Sequence, residues 1–150
     1  MRFMSHEFIT LAESNIHLFA PLYVAVFNAA PWLDGWSNPV ATERLQGFAK
    51  DPSFRGIGIQ QKSEPVGLVI GARERWSTGL IFHLKEMCVA AEHQGKGLGQ
   101  KMLVELEHSL KNEGVKTVYL QTQRNAPAKL FYESLGYQEY GHVSLHKSLS

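Results

Sequence analysis

The residues with the clearest chemistry lie in one run, Met87-Cys88-Val89-Ala90-Ala91-Glu92-His93-Gln94-Gly95-Lys96-Gly97-Leu98-Gly99. Its start continues an apolar stretch, its centre holds glycines at alternate positions, and its end passes into Met102, Leu103 and Leu106 at helical spacing. The expected order is strand, tight turn, helix. A glycine-rich turn that opens a helix gathers unpaired backbone N–H groups at the positive end of the helix dipole, which makes an anion site, usually for phosphate. Just upstream, Glu86 interrupts the apolar run from Leu80-Ile81-Phe82 to Cys88-Val89, and a carboxylate there asks for a role. His83 has the intrinsic pKa of a base, and strand alternation places it on the opposite sheet face from Glu86. Cys88 reads as a small core residue rather than a nucleophile, and no cluster of His, Cys and acids has metal-ligand spacing, so no metal is implied.

Spacing narrows the anion. A nucleoside-triphosphate loop needs GxxxxGK followed by Ser or Thr, which is absent, and Gln100 and Met102 stand where a dinucleotide fingerprint needs its third glycine. What remains is Q-x-x-G-x-G, at Gln94, Gly97 and Gly99. This resembles the pyrophosphate loop of the GNAT superfamily of acetyl-CoA-dependent N-acetyltransferases. Downstream, Asn125-Ala126-Pro127-Ala128-Lys129-Leu130-Phe131-Tyr132-Glu133-Ser134-Leu135-Gly136-Tyr137 resembles a second segment of the same superfamily, through Asn125, Ala128, Tyr132, Gly136 and the aromatic Tyr137. The two segments occur in the superfamily's order. Ala91 departs from the family's frequent proline at the strand exit, and the upstream half agrees only in the order of its strands and helices.

The resemblance implies a fold and a chemistry. The fold is α/β (α+β), a mixed, mostly antiparallel central sheet of six to seven strands with helices on both faces, whose parallel fourth and fifth strands splay to hold acetyl-CoA. Met87 and Val89 would offer backbone bonds to the pantetheine arm. Gln94, Gly95, Lys96, Gly97, Leu98 and Gly99 would cradle the pyrophosphate, with Lys96 either adding charge or standing solvated. Asn125 would bind cofactor, cap the following helix, or do both. Tyr132 would protonate or hydrogen-bond the CoA sulfur, unless it is a core aromatic among Leu130, Phe131 and Leu135. A backbone N–H near Met87 to Val89 would stabilise the oxyanion of direct transfer. Glu86 would take the amine proton, directly or through water, or hold a substrate ammonium; otherwise it is ion-paired to Arg73 or Arg75. His83 is the alternative base. The implied activity is acetyl transfer from acetyl-CoA to a primary amine of a small molecule or peptide, the other class being a CoA-binding sensor or regulatory module without transfer.

Composition excludes other classes. The chain of 150 residues is expected to form one domain, with 44% hydrophobic and 19% charged residues as in a soluble globular protein. Fifteen basic against fourteen acidic residues leave a charge of +1 without a basic run, so no nucleic acid partner is indicated. The longest apolar run, Phe19 to Phe27, is too short for a membrane span, and Ser5, His6 and Glu7 stand where a signal peptide would be apolar. With a single cysteine, the expectation is a cytoplasmic enzyme, a homodimer being the default assembly.

Periodicity supplies the elements that must position these residues. A strand is expected over Phe8 to Leu11, then a helix capped at Ser14 or Asn15 that buries Phe19, Leu22, Tyr23, Val26 and Phe27, with Pro21 in its early part. A loop from Asn28 to Pro39 carries Trp32, Asp34 and Trp36, which either line a pocket for a cationic substrate or pin the loop to the core. A second helix is expected over Val40 to Lys50, begun near Thr42. Arg55 to Gln61 and Pro65 to Arg73 read as a hairpin turning at Lys62-Ser63-Glu64. Leu80 to Ala90 is a fourth strand leading into the glycine turn. Leu98, Met102, Leu103, Leu106 and Leu110 share a helix face that ends at Gly114. Thr117 to Thr122 is a fifth strand, Ala126 to Leu135 a helix, and Tyr137 to Tyr140 and His142 to Leu149 the last two strands.

Overall fold

The computed structural model describes residues 5–150. Five strands form a single sheet in chain order: β1 (Glu7–Thr10), β2 (Phe54–Gln61), β3 (Glu64–Trp76), β4 (Gly79–Val89) and β5 (Val115–Tyr119). Neighbours are antiparallel except β4 and β5, which run parallel. The α-helices are α1 (Ala20–Asn28), α2 (Asn38–Ala49), α3 (Leu98–Asn112) and α4 (Pro127–Ser134).

Local chemistry sets most of these boundaries. Asn15 caps no helix; its Oδ1 accepts from the Ala12 N–H and its Nδ2 donates to the Thr10 carbonyl, so the chain first makes a 3-10 turn, Ile16–Phe19. Pro21 then falls in the first turn of α1, where a missing N–H costs nothing. Helix α2 starts ahead of the expected Val40, because the Ser37 hydroxyl accepts from the Val40 N–H and Pro39 occupies its first turn. Lys62 and Ser63 both adopt positive φ, 51° and 64°, the requirement of a two-residue hairpin turn that follows the sheet's twist.

The sheet has five strands, not six to seven. Residues after α4 form no ladder, and Val143, Leu145 and Leu149 are 79%, 91% and 94% exposed. Their alternation resembles a strand's, but no sheet face covers it and no partner backbone pairs with it. Strand β5 also lies earlier than Thr117 to Thr122. Gly114, at φ 90°, turns the chain straight out of α3, so that Val115 is already opposite Leu80.

The two faces of the sheet are distinguished by what packs on them. Gly58 faces Phe19 of the 3-10 turn, whereas Gly67, paired with Ile59 on the other face, lies beside Met102 of α3. Buried Met102, Leu103, Leu106 and Leu110 seat α3, while α1 and α2 cover the opposite side through Leu22, Tyr23, Ala41 and Leu45. A register shift in β4 then decides which side chains go where. Ile70 pairs with Glu86 and Gly71 with Leu84, leaving Lys85 as an extra, exposed residue. Strand β3 approaches tightly here, since a β-carbon on Gly71 would lie 2.0 Å from the His83 carbonyl and 2.6 Å from the Phe82 ring. Gly71→Ala is therefore expected to force the bulge open and cost at least 1–3 kcal/mol, roughly, a fall in melting temperature of several degrees that thermal unfolding would measure. An unchanged midpoint would show that the bulge does not depend on this contact.

Candidate active site

The β4 and β5 ladder runs only from Leu80 opposite Val115 to His83 opposite Tyr119. Beyond it, Leu84 to Val89 stays paired with β3 while the chain after β5 departs, so one edge of the outgoing half of β4 is left without a strand partner. Helix α4 stands at this opening. Its Tyr132 hydroxyl lies 3.5 Å from Met87 Sδ, and its Phe131 ring comes within 3.3 Å of the position a β-carbon on Gly99 would take. Met87 Cε lies 3.4 Å from the same position. Strand end, glycine turn and α4 thus meet at one place.

The turn itself is held from below. The Ala90 N–H donates to the Val66 carbonyl at 2.8 Å, and Gln94 Nε2 donates to the Val89 carbonyl at 2.9 Å. Gln94 therefore stabilises the turn from the strand side. Gly95 and Gly97 take φ of 76° and 78°, which a β-carbon would disfavour, and nothing stands within 4 Å of where that carbon would be. Gly97 precedes α3 without any side-chain cap, and the first bond of the helix runs from the Lys101 N–H to the Gly97 carbonyl. The amides of Leu98, Gly99 and Gln100 are left over at the positive end of a 15-residue helix. Such a turn can receive an anion.

Glu86 points the other way, toward α1 and α2. Its Oε1 accepts from Tyr23 Oη at 3.1 Å and from Arg44 Nε and Nη2 at 2.9 and 2.5 Å. The expected partners Arg73 and Arg75 play no part. Arg73 stands opposite Phe82, on the α3 side of the sheet, and reaches Glu113 at 3.9 Å, while Arg75, opposite Leu80, sits at the far end of the β3 and β4 ladder. Burial works against the Arg44 charge, but the hydrogen bond and attraction of Glu86 outweigh it and leave the guanidinium above its ordinary pKa. Tyr23 is raised by burial first and by the Glu86 charge second. Tyr132 is pushed up to about 12 for the same two reasons, in the same order, and so keeps its proton as a phenol. The Cys88 thiol is raised by burial and then by Glu86, the opposite of what a nucleophile needs.

The remaining expected residues divide. Trp36 is half-buried: its backbone exchanges hydrogen bonds with the Asn28 side chain at 2.6 and 2.8 Å, and its indole packs edge-on against Tyr23 and donates to Asp34 at 3.1 Å. It therefore both pins the loop and joins the Glu86 cluster. Trp32 leans on Phe27 and is 46% exposed. Asp34, Gly35, Trp36, Ser37 and Val40 line a surface cavity of about 400 Å³. A second cavity, about 420 Å³ between β1, β2 and α3, holds none of these groups. Asn125 caps nothing, because Ala126 is the residue before α4 and the helix has no side-chain cap.

His83 corrects the alternation argument. The extra residue at Lys85 shifts the parity, so His83, paired with Ala72, shares the α1 and α2 face with Glu86, paired with Ile70. It nonetheless belongs elsewhere, in the paired half of β4, where its Nε2 lies 2.9 Å from Glu74 and its ring stacks on Tyr119. Arg44 and Tyr23 are the members of the site that periodicity missed. Tyr23 reads as one of several core aromatics, and the available signal for Arg44 was a cation next to the buried positions Ala41 and Leu45 of α2.

Comparison with known proteins bears on what this arrangement is. No curated protein sequence is significantly similar to the chain. Among solved structures, an aminoglycoside acetyltransferase from an uncultured soil metagenomic sample, in complex with sisomicin, superposes with a TM-score of 0.80 at 19% identity, over 97% of both chains. An aminoglycoside N-acetyltransferase in complex with CoA gives 0.80 at 10% identity, over 99% of this chain and 98% of that one. A ribosomal-protein-alanine N-acetyltransferase from Brucella melitensis gives 0.79 at 16% identity, over 96% and 99%. At these identities the likeness is one of fold. The family model for the GNAT acetyltransferase domain matches residues 57–139, from β2 through the glycine turn and α4, and the chain belongs to that family.

Proposed function

We propose that the protein transfers an acetyl group from acetyl-CoA to a primary amine of a small molecule or peptide, directly and without an acyl-enzyme. The observation that carries this reading is the meeting of three things at one opening: the uncapped glycine turn, the unpaired edge of β4, and the phenol of Tyr132. Acetyl-CoA supplies an activated thioester. The residues present fit it, since the free amides of Leu98 to Gln100 and the open space over Gly95 and Gly97 suit a pyrophosphate. Gln94 holds the turn in shape, and Lys96 stands beside it. The backbone of Met87 and Val89 lies on the edge that β5 has left, available to the pantetheine amides and to the developing oxyanion.

Tyr132 serves the departing sulfur. A phenol at about 12 is a weaker acid than an ordinary thiol near 8.5, so it acts by hydrogen bond and the net proton comes from the amine. Glu86 is the carboxylate that faces the acceptor side, below the loop that carries Trp36 and Asp34. His83 is committed to Glu74 and plays no part in this scheme. The similar folds that act on aminoglycosides and on a ribosomal protein show that the same architecture accepts very different amines.

Thiol release measured with a panel of primary amines tests the reading; stabilisation by acetyl-CoA with no amine-dependent release would instead mark a sensor. Tyr132→Phe is expected to lower turnover by about 10²-fold with acetyl-CoA affinity nearly unchanged, and equal turnover would remove this phenol from the reaction. Gly97→Val forces a β-branched residue into a left-handed conformation and is expected to weaken CoA binding by about tenfold in calorimetry, with α3 intact by circular dichroism. Cys88→Ala is expected to keep wild-type turnover, and the native thiol to resist aromatic disulfide reagents at neutral pH until the protein unfolds. A turnover-dead alanine variant that still folds would restore an acyl-cysteine route.

A further inference from the structure

Two carboxylates that the described residues pair with arginine, Glu113 and Glu86, are held in different ways. On the α3 side, Arg55 Nε lies 3.0 and 2.9 Å from the two oxygens of Glu113, and Arg73 adds a contact at 3.9 Å, so both oxygens of that carboxylate are engaged. That is how a carboxylate is tied down for structure. At Glu86 all the donors converge on Oε1, two from Arg44 and one from Tyr23. Among the described residues Oε2 accepts nothing, and it is open to solvent on a side chain that is otherwise enclosed, at 11% exposure. An ionised carboxylate has about four lone-pair positions, and an enclosed one is stable when they are used.

The donors on Oε1 are themselves fixed. The Arg44 guanidinium carbon lies 5.7 Å from the Trp36 ring centroid and 5.0 Å from that of Phe48. Tyr23 is packed between Phe27 at 4.7 Å and Trp36 at 5.2 Å. A glutamate on its own has several rotatable bonds and two interchangeable oxygens. A planar guanidinium fork held between aromatic rings removes that freedom and selects which oxygen is presented.

We propose that Arg44 is a positioning residue: with Tyr23 it clamps Oε1 of Glu86, leaving Oε2 to accept an N–H of the acceptor amine. This rests on the acetyltransferase reading above. Arg44 touches no reacting atom, and its effect passes through Glu86. Clamping orients the amine lone pair toward the β4 opening, where a small misplacement is costly in rate.

The test is a double-mutant cycle on steady-state kinetics, using Arg44→Met, whose stem keeps the packing against Trp36 and Phe48, with Glu86→Gln and the combination. Arg44→Met is expected to lower kcat/KM for the amine by about 10²-fold while KM for acetyl-CoA stays constant. Arg44→Lys, which returns a cationic donor, should recover part of that loss, and it carries the test if the methionine variant fails to fold. In the Glu86→Gln background the Arg44→Met substitution should cost less than about twofold, because residues acting through one another are not additive. Equal costs in both backgrounds, or an Arg44→Met enzyme with wild-type kinetics, would overturn the proposal while leaving the acetyltransferase intact. A wild-type protein that releases no thiol with any amine would instead remove the acetyltransferase reading and the role of Arg44 with it.

Discussion

One extra residue in β4 organises the site. Were the bulge at Lys85 absent and all residues in regular register, strict alternation would carry His83 and Glu86 to opposite faces. With it, Glu86 turns under α1 and α2 while Met87 and Val89 face the α3 side, and the ladder to β5 ends at His83. A bulge adds local twist, and the ladder to β5 ends at His83, two residues before it. Gly71 is the counterpart on β3, since only hydrogen fits between that backbone and the His83 carbonyl. The glycine turn and α4 then close around the separated edge.

The two faces are fastened by charge in different ways. Arg55 and Arg73 converge on Glu113 at the end of α3, all three partly exposed, and a pair of this kind contributes on the order of 1 kcal/mol. Glu86 is more enclosed, at 11% exposure against 40% for Arg44. Removing Arg44 there leaves the enclosed carboxylate without its cation, which costs more than removing Glu86 from the more exposed guanidinium. The aromatic residues Tyr23, Phe27, Trp36 and Phe48 set that environment, and Trp36 and Phe48 hold Arg44 by cation–π contact. The loop between α1 and α2 is thus coupled to the carboxylate by packing as well as by charge.

The family match and the loop that packs beside Glu86 lie in different parts of the chain. The matched region, residues 57–139, contains most of the hairpin, β4, the glycine turn and α4. Trp32, Asp34, Trp36 and Arg44 all precede it. The glycine turn presents backbone amides, which tolerate sequence change wherever the φ angles are kept. The cluster around Glu86 is built from side chains, which do not.

What the sequence by itself determined is local. The left-handed glycines of the turn, the apolar face of α3 and its end at Gly114, the hairpin, and Pro21 in an opening helical turn all follow from φ preferences and from periods of 2 and 3.6 residues. The two GNAT segments are legible for the same reason, because each is a contiguous backbone device. Tertiary structure decided the rest. Arg44 and Glu86 are 42 positions apart, and nothing near either one announces the other. The bulge at Lys85 exists only in register with β3, so His83 moves to the face that alternation denied it. Val143, Leu145 and Leu149 alternate like a strand and yet stay exposed, because a strand needs a partner edge as well as a pattern. Periodicity specifies which face of an element is apolar; which distant atoms meet across that face is fixed only when the elements pack.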